Sequence, residues 1–204
     1  MTTQLRRAEL FGTPIWQTTL PEFSPYHDKV MQAMRERWDA GLFEYHQYAF
    51  GYNTPTDIFG EESFKANPHY RVLQAGFRSA CERILERREG YAKKVACQLN
   101  CIQAWIRLQT PEDKGFPWHH HIPAELSGVY FVNVPGSLPL GEGDLTFQGS
   151  QPGNIFQTSF HSVRPETGAL VIFPSYLLHK PTPCPSATDW RIGVNMDAYV
   201  EWSR

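Results

Sequence analysis

Long apolar runs are missing from this chain. None of its 204 residues belongs to a stretch approaching the roughly 20 consecutive apolar residues that a membrane-spanning helix requires. The opening MTTQLRRAELFG also lacks the apolar segment of a secretory signal, so a cytoplasmic protein is expected. Neither sign of charge is in excess: 19 Lys and Arg stand against 21 Asp and Glu, for a formal charge of -2. No broad basic field exists to hold a nucleic-acid backbone or an anionic membrane surface, and neither partner is expected. Only four cysteines occur, Cys81, Cys97, Cys101 and Cys184, without the close pairing of zinc motifs. A chain of this length needs no cross-links to be stable, so reduced thiols are expected. Repeats, low-complexity tracts and long linkers are absent too, which leaves a single domain over residues 1–204 as the simplest organisation.

What the chain does contain is a change of hydrophobic period. Apolar residues make up 41% of it and aromatic ones 14%, enough to bury a sizeable core. Over residues 1–94 the pattern is mainly helical. Ser24 and Pro25 signal a helix start, Val30, Met34 and Trp38 follow at helical spacing, and Gly41 can end the element. Asn67 and Pro68 fit the cap and first turn of a second helix, whose apolar stripe of Tyr70, Leu73, Phe77, Ala80 and Ile84 runs up to Gly90. Its other face carries Arg71, Arg78, Arg83, Arg87 and Arg88 with Glu82, Glu86 and Glu89 interspersed. That mixture describes a solvated face better than an anion-binding one.

From about Val95 onward the texture becomes short apolar runs broken by Pro and Gly, the mark of a β sandwich or barrel. Strands are expected at 97–108, 116–121, 126–134, 144–147, 156–163, 169–173, 178–181 and 191–199. Eight such strands suit a jelly roll. The expected fold is therefore mainly β with flanking helices: a helical portion over 1–94 supporting a jelly-roll core over 95–204. The segment 135–143, PGSLPLGEG, reads as a connection because it lacks a phosphate-loop pattern.

Three consecutive histidines stand in PWHHHIPAELSGVYFV. On a strand, adjacent side chains face opposite ways, so His119 and His121 share one face while His120 takes the other. A further histidine, His179, closes an apolar run in FPSYLLHKP. An i, i+2 pair with a distant third histidine can cap one triangular face of a metal ion and leave the opposite face open. Imidazole nitrogen suits Fe(II), Zn(II) or Cu(II), and spacing does not choose among them. Taken singly, these residues have plainer roles: a hydrogen-bonded core or loop histidine at 179, a polar strand edge at 119–121.

The segment RIGVNMDAY alternates Arg191, Gly193, Asn195 and Asp197 with Ile192, Val194, Met196 and Ala198. The apolar set can pack on the helices, which turns Arg191 into the barrel with Gly193 leaving space beside it. A guanidinium held there would bind a carboxylate through two charge-assisted hydrogen bonds. A surface ion pair with Asp189 is the plainer alternative.

With these pieces in order the chain resembles the Fe(II)- and 2-oxoglutarate-dependent oxygenases, in particular a bacterial and phage-associated group. LFGTPIW, HHHIPAELSGVYFV, GDLTF, PETGALVIFPSYLLH and RIGVNM carry the resemblance and span most of the chain. It implies a cupin-like double-stranded β-helix with iron at its mouth. It also implies His119 and His179 as metal ligands, and Arg191 at the distal carboxylate of 2-oxoglutarate. His121 falls where the wider superfamily has Asp or Glu; as third ligand it would leave the iron one charge unit more positive. Asp144 is the nearest acidic substitute for it. Tyr130 and Asn195 are expected to reach the cosubstrate with their polar tips, with Trp105 and Arg107 near by. Core packing competes for Tyr130 and Trp105, an ion pair for Arg107, and a strand-surface role for His161.

The reaction implied is decarboxylation of 2-oxoglutarate to succinate by O2, coupled to hydroxylation of a C–H bond in a small molecule, amino-acid derivative or peptide. Two other classes compete. One is a three-histidine iron dioxygenase that does not use 2-oxoglutarate, and the other a non-enzymatic jelly-roll module whose metal stabilises the fold. A homodimer through the N-terminal helices is an alternative to their packing on the chain's own barrel.

Overall fold

The computed structural model describes residues 5–10, 12–46, 51–55, 58–88, 96–149 and 159–203. The N-terminal half holds strands β1 (Arg6–Leu10) and β2 (Thr13–Thr19), a 3-10 turn (Ser24–Tyr26) and helix α1 (His27–Asp39). After these come β3 (Glu44–His46), β4 (Gly51–Asn53), α2 (Glu61–Ala66) and α3 (Tyr70–Glu86). The C-terminal half is all strand: β5 (Ala96–Gln109), β6 (Leu126–Asn133), β7 (Leu145–Gln148), β8 (Phe160–Val163), β9 (Ala169–Pro174), β10 (His179–Pro181) and β11 (Arg191–Ser203). A major sheet of eight strands runs in the order β1-β2-β9-β6-β11-β5-β4-β3, and a minor sheet of three in the order β10-β7-β8. The pairings are antiparallel throughout. The fold is thus mainly β, a jelly roll with helices on one side.

Two cores flank the major sheet. Tyr130 and Val132 of β6, Leu170 and Ile172 of β9, and Ile192, Val194, Met196 and Ala198 of β11 pack with the helices. The alternate residues Val129, Phe131, Val171 and Phe173 face the minor sheet, where Leu145, Phe147 and Val163 meet them. Because both faces are covered, β9 and the end of β6 read as continuous apolar runs instead of alternating ones. Helix α1 buries Val30 and Met34, and α3 buries Tyr70, Leu73, Phe77, Ala80, Cys81 and Ile84, which is the stripe expected from spacing. The arginine face of α3 is solvated, with Arg78 lying 3.9 Å from Glu82 one turn on.

Several expectations change. The N-terminal half is not only helical, since β1 to β4 supply half of the major sheet. Segment 116–121 is not a strand: it is an irregular extended run holding one isolated bridge, His119 to His179. Pro117 has no amide hydrogen to give a ladder, and a turn follows at 122–123. Asn67 ends α2, a short helix with no clear sequence signal, and His69 is the N-cap of α3. Of the strand expected at 156–163 only Phe160–Val163 is described; 156–158, Glu89 and Gly90 lie outside the described residues.

One contact sets how closely α3 approaches the sheet. A Cβ at Gly128 would lie 2.6 Å from the Phe77 ring, so only glycine allows the ring to rest on β6. Phe77 is fully buried, a burial worth about 1.5–3 kcal/mol. We expect Gly128→Ala to cost about 1–3 kcal/mol in urea unfolding through overpacking. Adding Phe77→Leu should recover part of that loss, and strict additivity of the two changes would remove this contact as the cause.

Candidate metal centre

The three histidines converge from separate segments. Although 116–121 is not a strand, its backbone is pinned as one: His119 N–H donates to His179 O at 3.2 Å and His179 N–H to His119 O at 3.0 Å. His121 N–H donates to Ser175 O at 2.9 Å, just past the end of β9. His120 is exposed and turned away. The ring centroids of His119, His121 and His179 are 4.3 to 5.1 Å apart, and one ring nitrogen from each lies within 4.8 Å of the others.

Hydrogen bonds select which nitrogen is offered. His119 Nδ1 lies 3.0 Å from Pro117 O, His179 Nδ1 2.9 Å from Leu177 O, and His121 Nδ1 2.7 Å from Asp197 Oδ1. A carbonyl or carboxylate oxygen only accepts, so each Nδ1 carries the hydrogen and each Nε2 keeps its lone pair. Burial keeps His119 and His179 neutral as well. The His119 pKa is pushed from 6.5 down to about 4, first by desolvation and further by His121, Arg107 and His120, against the Pro117 bond that raises it. His179, only 3% exposed, is shifted well below the ordinary value, mainly by desolvation and then by His119 and His121. Three imidazoles gathered at one point fit a divalent transition metal.

The cluster opens on a cavity of about 330 Å³. Arg191 lines the same cavity, as β11 parity requires. It is 3% exposed, lies over the Phe131 ring at 5.0 Å, and donates from Nε to Gly143 O at 3.0 Å and from Nη1 to Gln109 Oε1 at 3.3 Å. Gln109 is itself held by donating to Thr182 O at 2.8 Å. Burial lowers the guanidinium to about 10, which still leaves it cationic at neutral pH. Asp189, the plain alternative partner, binds Arg35 at 3.0 Å instead. Among the described residues no carboxylate forms an ion pair with Arg191.

The remaining candidates divide by face. Asn195, Trp105 and Arg107 line the cavity; the Trp105 ring is 5.4 Å from that of His121, and the Arg107 guanidinium lies 4.4 Å over Phe116. Tyr130 does not. It stands on the helical side of β6, where its hydroxyl shares a 2.7 Å hydrogen bond with His27 Nε2 and burial pushes its pKa up to about 12. The cosubstrate role expected for it is thereby corrected, and core packing with a satisfied polar tip describes it. Asp144 is bound to Arg164 at 3.4 Å and does not join the histidines, and His161 on β8 does not line the cavity. Two contributors were missed. Gln109 gave no signal, whereas Asp197 shares the parity of Arg191 and Asn195 and was placed on that face without a role.

A jelly roll whose cavity holds three histidines on one side and a buried cation on the other is a double-stranded β-helix with a candidate mononuclear metal site. Residues 103–197 match the family model described as "Putative 2OG-Fe(II) oxygenase". That segment is just under half of the chain, and the three-histidine donor set fits the iron that the description names. Solved structures share the fold at low identity. A Pseudomonas putida prolyl-4-hydroxylase is 15% identical, with 90% of this chain and 91% of that one covered at a TM-score of 0.55. A Trichoplax adhaerens prolyl hydroxylase in complex with a hypoxia inducible factor oxygen degradation domain peptide fragment is 13% identical, covering 91% and 83% at 0.62. The non-heme alpha ketoglutarate dependent epimerase SnoN from nogalamycin biosynthesis is 12% identical, covering 92% and 81% at 0.59. No curated protein matches the chain in sequence.

The lowered pKa of His119 carries a stability consequence for the metal-free protein. Between about 4 and 6.5 the unfolded chain binds a proton at His119 that the folded chain refuses, so stability falls as pH drops through that window. His179 acts in the same direction. Thermal melts of metal-free protein should show this fall, and His119→Ala should flatten it; an unaltered pH profile in that variant would assign the effect elsewhere.

Proposed function

We propose that the chain is an Fe(II)- and 2-oxoglutarate-dependent oxygenase that hydroxylates a C–H bond of a small molecule, an amino-acid derivative or a peptide. The observation that carries this is Arg191, a buried guanidinium without a carboxylate partner among the described residues, lining the same cavity as the three histidines. Burying a cation is costly unless it is paired, so the cavity is built for an anion that arrives with the ligand.

In this reading Nε2 of His119, His121 and His179 would hold the iron beside the cavity. Arg191 binds the distal carboxylate of 2-oxoglutarate; Gln109 and Gly143 O orient the guanidinium, and the Phe131 face supports it from below. Gly193 stands beside Arg191 on the cavity face, where it leaves room for the cosubstrate chain. Asn195, on the same face, offers an amide to a ligand oxygen. Val129 and Leu145 form apolar wall that keeps water away. Bound iron with 2-oxoglutarate supplies oxidative decarboxylation by O2, and the protein contributes position and exclusion. The helices and strands share a core, and we take the whole chain as one catalytic domain.

The test is anaerobic reconstitution with Fe(II) and 2-oxoglutarate, followed by O2. A weak visible charge-transfer band before O2 and slow succinate formation after it are expected. Loss of both with iron bound would sink the proposal. Arg191→Lys keeps the charge but loses the planar fork, and should raise the 2-oxoglutarate requirement about 10- to 100-fold, in line with the ~1.5–3 kcal/mol of a hydrogen bond to a charged group. O2 consumption by the iron-loaded protein that does not depend on 2-oxoglutarate, and is unchanged in this variant, would favour a three-histidine dioxygenase that does not use this cosubstrate.

A further inference from the structure

The three histidines are not equivalent. The Nδ1–H groups of His119 and His179 end on backbone carbonyls two residues earlier in the chain, which are local and neutral acceptors. That of His121 ends on a carboxylate far away in sequence, Asp197 Oδ1, at 2.7 Å. His121 is also the ligand that stands where the resemblance led us to expect an acid. From this asymmetry we infer that Asp197 is the anionic member of the metal centre, a positioning residue acting through His121. The inference rests on the proposal that these histidines hold a divalent metal.

Asp197 is poorly placed for any other purpose. It is 6% exposed, and among the described residues no lysine or arginine forms an ion pair with it. Its two hydrogen bonds, from His121 Nδ1 and from Ser127 Oγ at 2.6 Å, both end on Oδ1. Apart from His121 the partner is a neutral serine hydroxyl, so among the described residues no fixed cation compensates the burial of this carboxylate, which several kcal/mol of desolvation oppose. The missing cation is the one that would sit on Nε2 of the same imidazole. A metal there makes Nδ1–H a stronger donor, and the carboxylate in turn makes His121 a more basic ligand.

The carboxylate cannot drift from this position. Asp197 is opposite Ser127 in the β11–β6 register, inside the major sheet, so the serine donor and the acid are held by adjacent backbones. His121 is held independently by its amide bond to Ser175. The negative charge of the usual ligand set is therefore retained, moved outward by the width of one imidazole. The vacated first-sphere position is taken by a neutral nitrogen.

The test uses Co(II) alone with metal-free protein, read by its visible absorption and by calorimetric titration, alongside melting of the metal-free form. Asp197→Asn keeps an acceptor oxygen for His121 and removes the charge. It should weaken Co(II) binding about 10- to 100-fold, the usual range for loss of such a partner. The metal-free melting temperature should stay level or rise, because an uncompensated buried charge has gone. A structural anchor would show the reverse: an unchanged Co(II) affinity, or a metal-free form that melts earlier or fails to fold, and any of these overturns the inference. In the double variant His121→Asp with Asp197→Asn, the carboxylate returns to the first sphere and Co(II) affinity should recover relative to Asp197→Asn. No recovery also counts against it. Neither 2-oxoglutarate nor O2 enters this experiment, so its failure is separable from failure of the succinate assay.

Discussion

Along β6, β9 and the stretch of β11 from Arg191 to Ala198, side chains go to one of two sides of the sheet, the helical core or the cavity side. On β11 this choice sends Ile192, Val194, Met196 and Ala198 to the helices, and Arg191, Gly193 and Asn195 to the cavity. A shift of one residue in register would exchange the two sets, burying a guanidinium among apolar helices and emptying the site. On β6 the Phe77 ring of α3 rests against Gly128 from the helical side. Fold stability and site geometry are thus one requirement met twice.

Rigidity at the metal centre comes from hydrogen bonds that have nothing to do with metal. The paired amide and carbonyl bonds between His119 and His179 splice an irregular segment to the edge of β10, and the His121 amide ties it to the end of β9. Each imidazole is then oriented through Nδ1, so that the Nε2 atoms converge before any ion arrives. Phe173 at 4.5 Å and Phe147 at 6.2 Å from the His179 ring exclude water from its far side and hold it neutral. Preorganisation of this kind lowers the ordering cost of binding.

The electrostatics of the cavity follow the same logic. Arg191 and Arg107 line it, and no acidic side chain does so among the described residues. The one buried carboxylate beside the histidines, Asp197, is behind His121 and not in the cavity. Positive groups therefore face the cavity while the negative one supports His121 from behind. That arrangement suits a dianionic cosubstrate, whose charge would otherwise meet a carboxylate ligand directly.

Much of this was legible in the sequence. Strand texture after Val95, the stripe of α3 and the alternation of RIGVNMDAY are local patterns, and local patterns report which face a residue takes wherever polar and apolar residues alternate. His119 and His121 shared a face by spacing even though their segment is not a strand, because an extended backbone has the same parity as a ladder. Tyr130 escaped for the opposite reason: its neighbours Val129, Phe131 and Val132 are all apolar, so no alternation reveals which face is which. β1 to β4 are short and lean on the edges of the major sheet, and nothing in their own residues declares the neighbour that completes them. The sequence by itself determined the residue types and parities of the site: two histidines in step, a third after an apolar run, and an arginine on an alternating strand. Only the tertiary structure decided which cavity they share, that Gln109 holds Arg191, and that Asp197 reaches His121 across 76 positions of chain. Parity is a property of one strand, whereas partners are set by register between strands and by what covers each face.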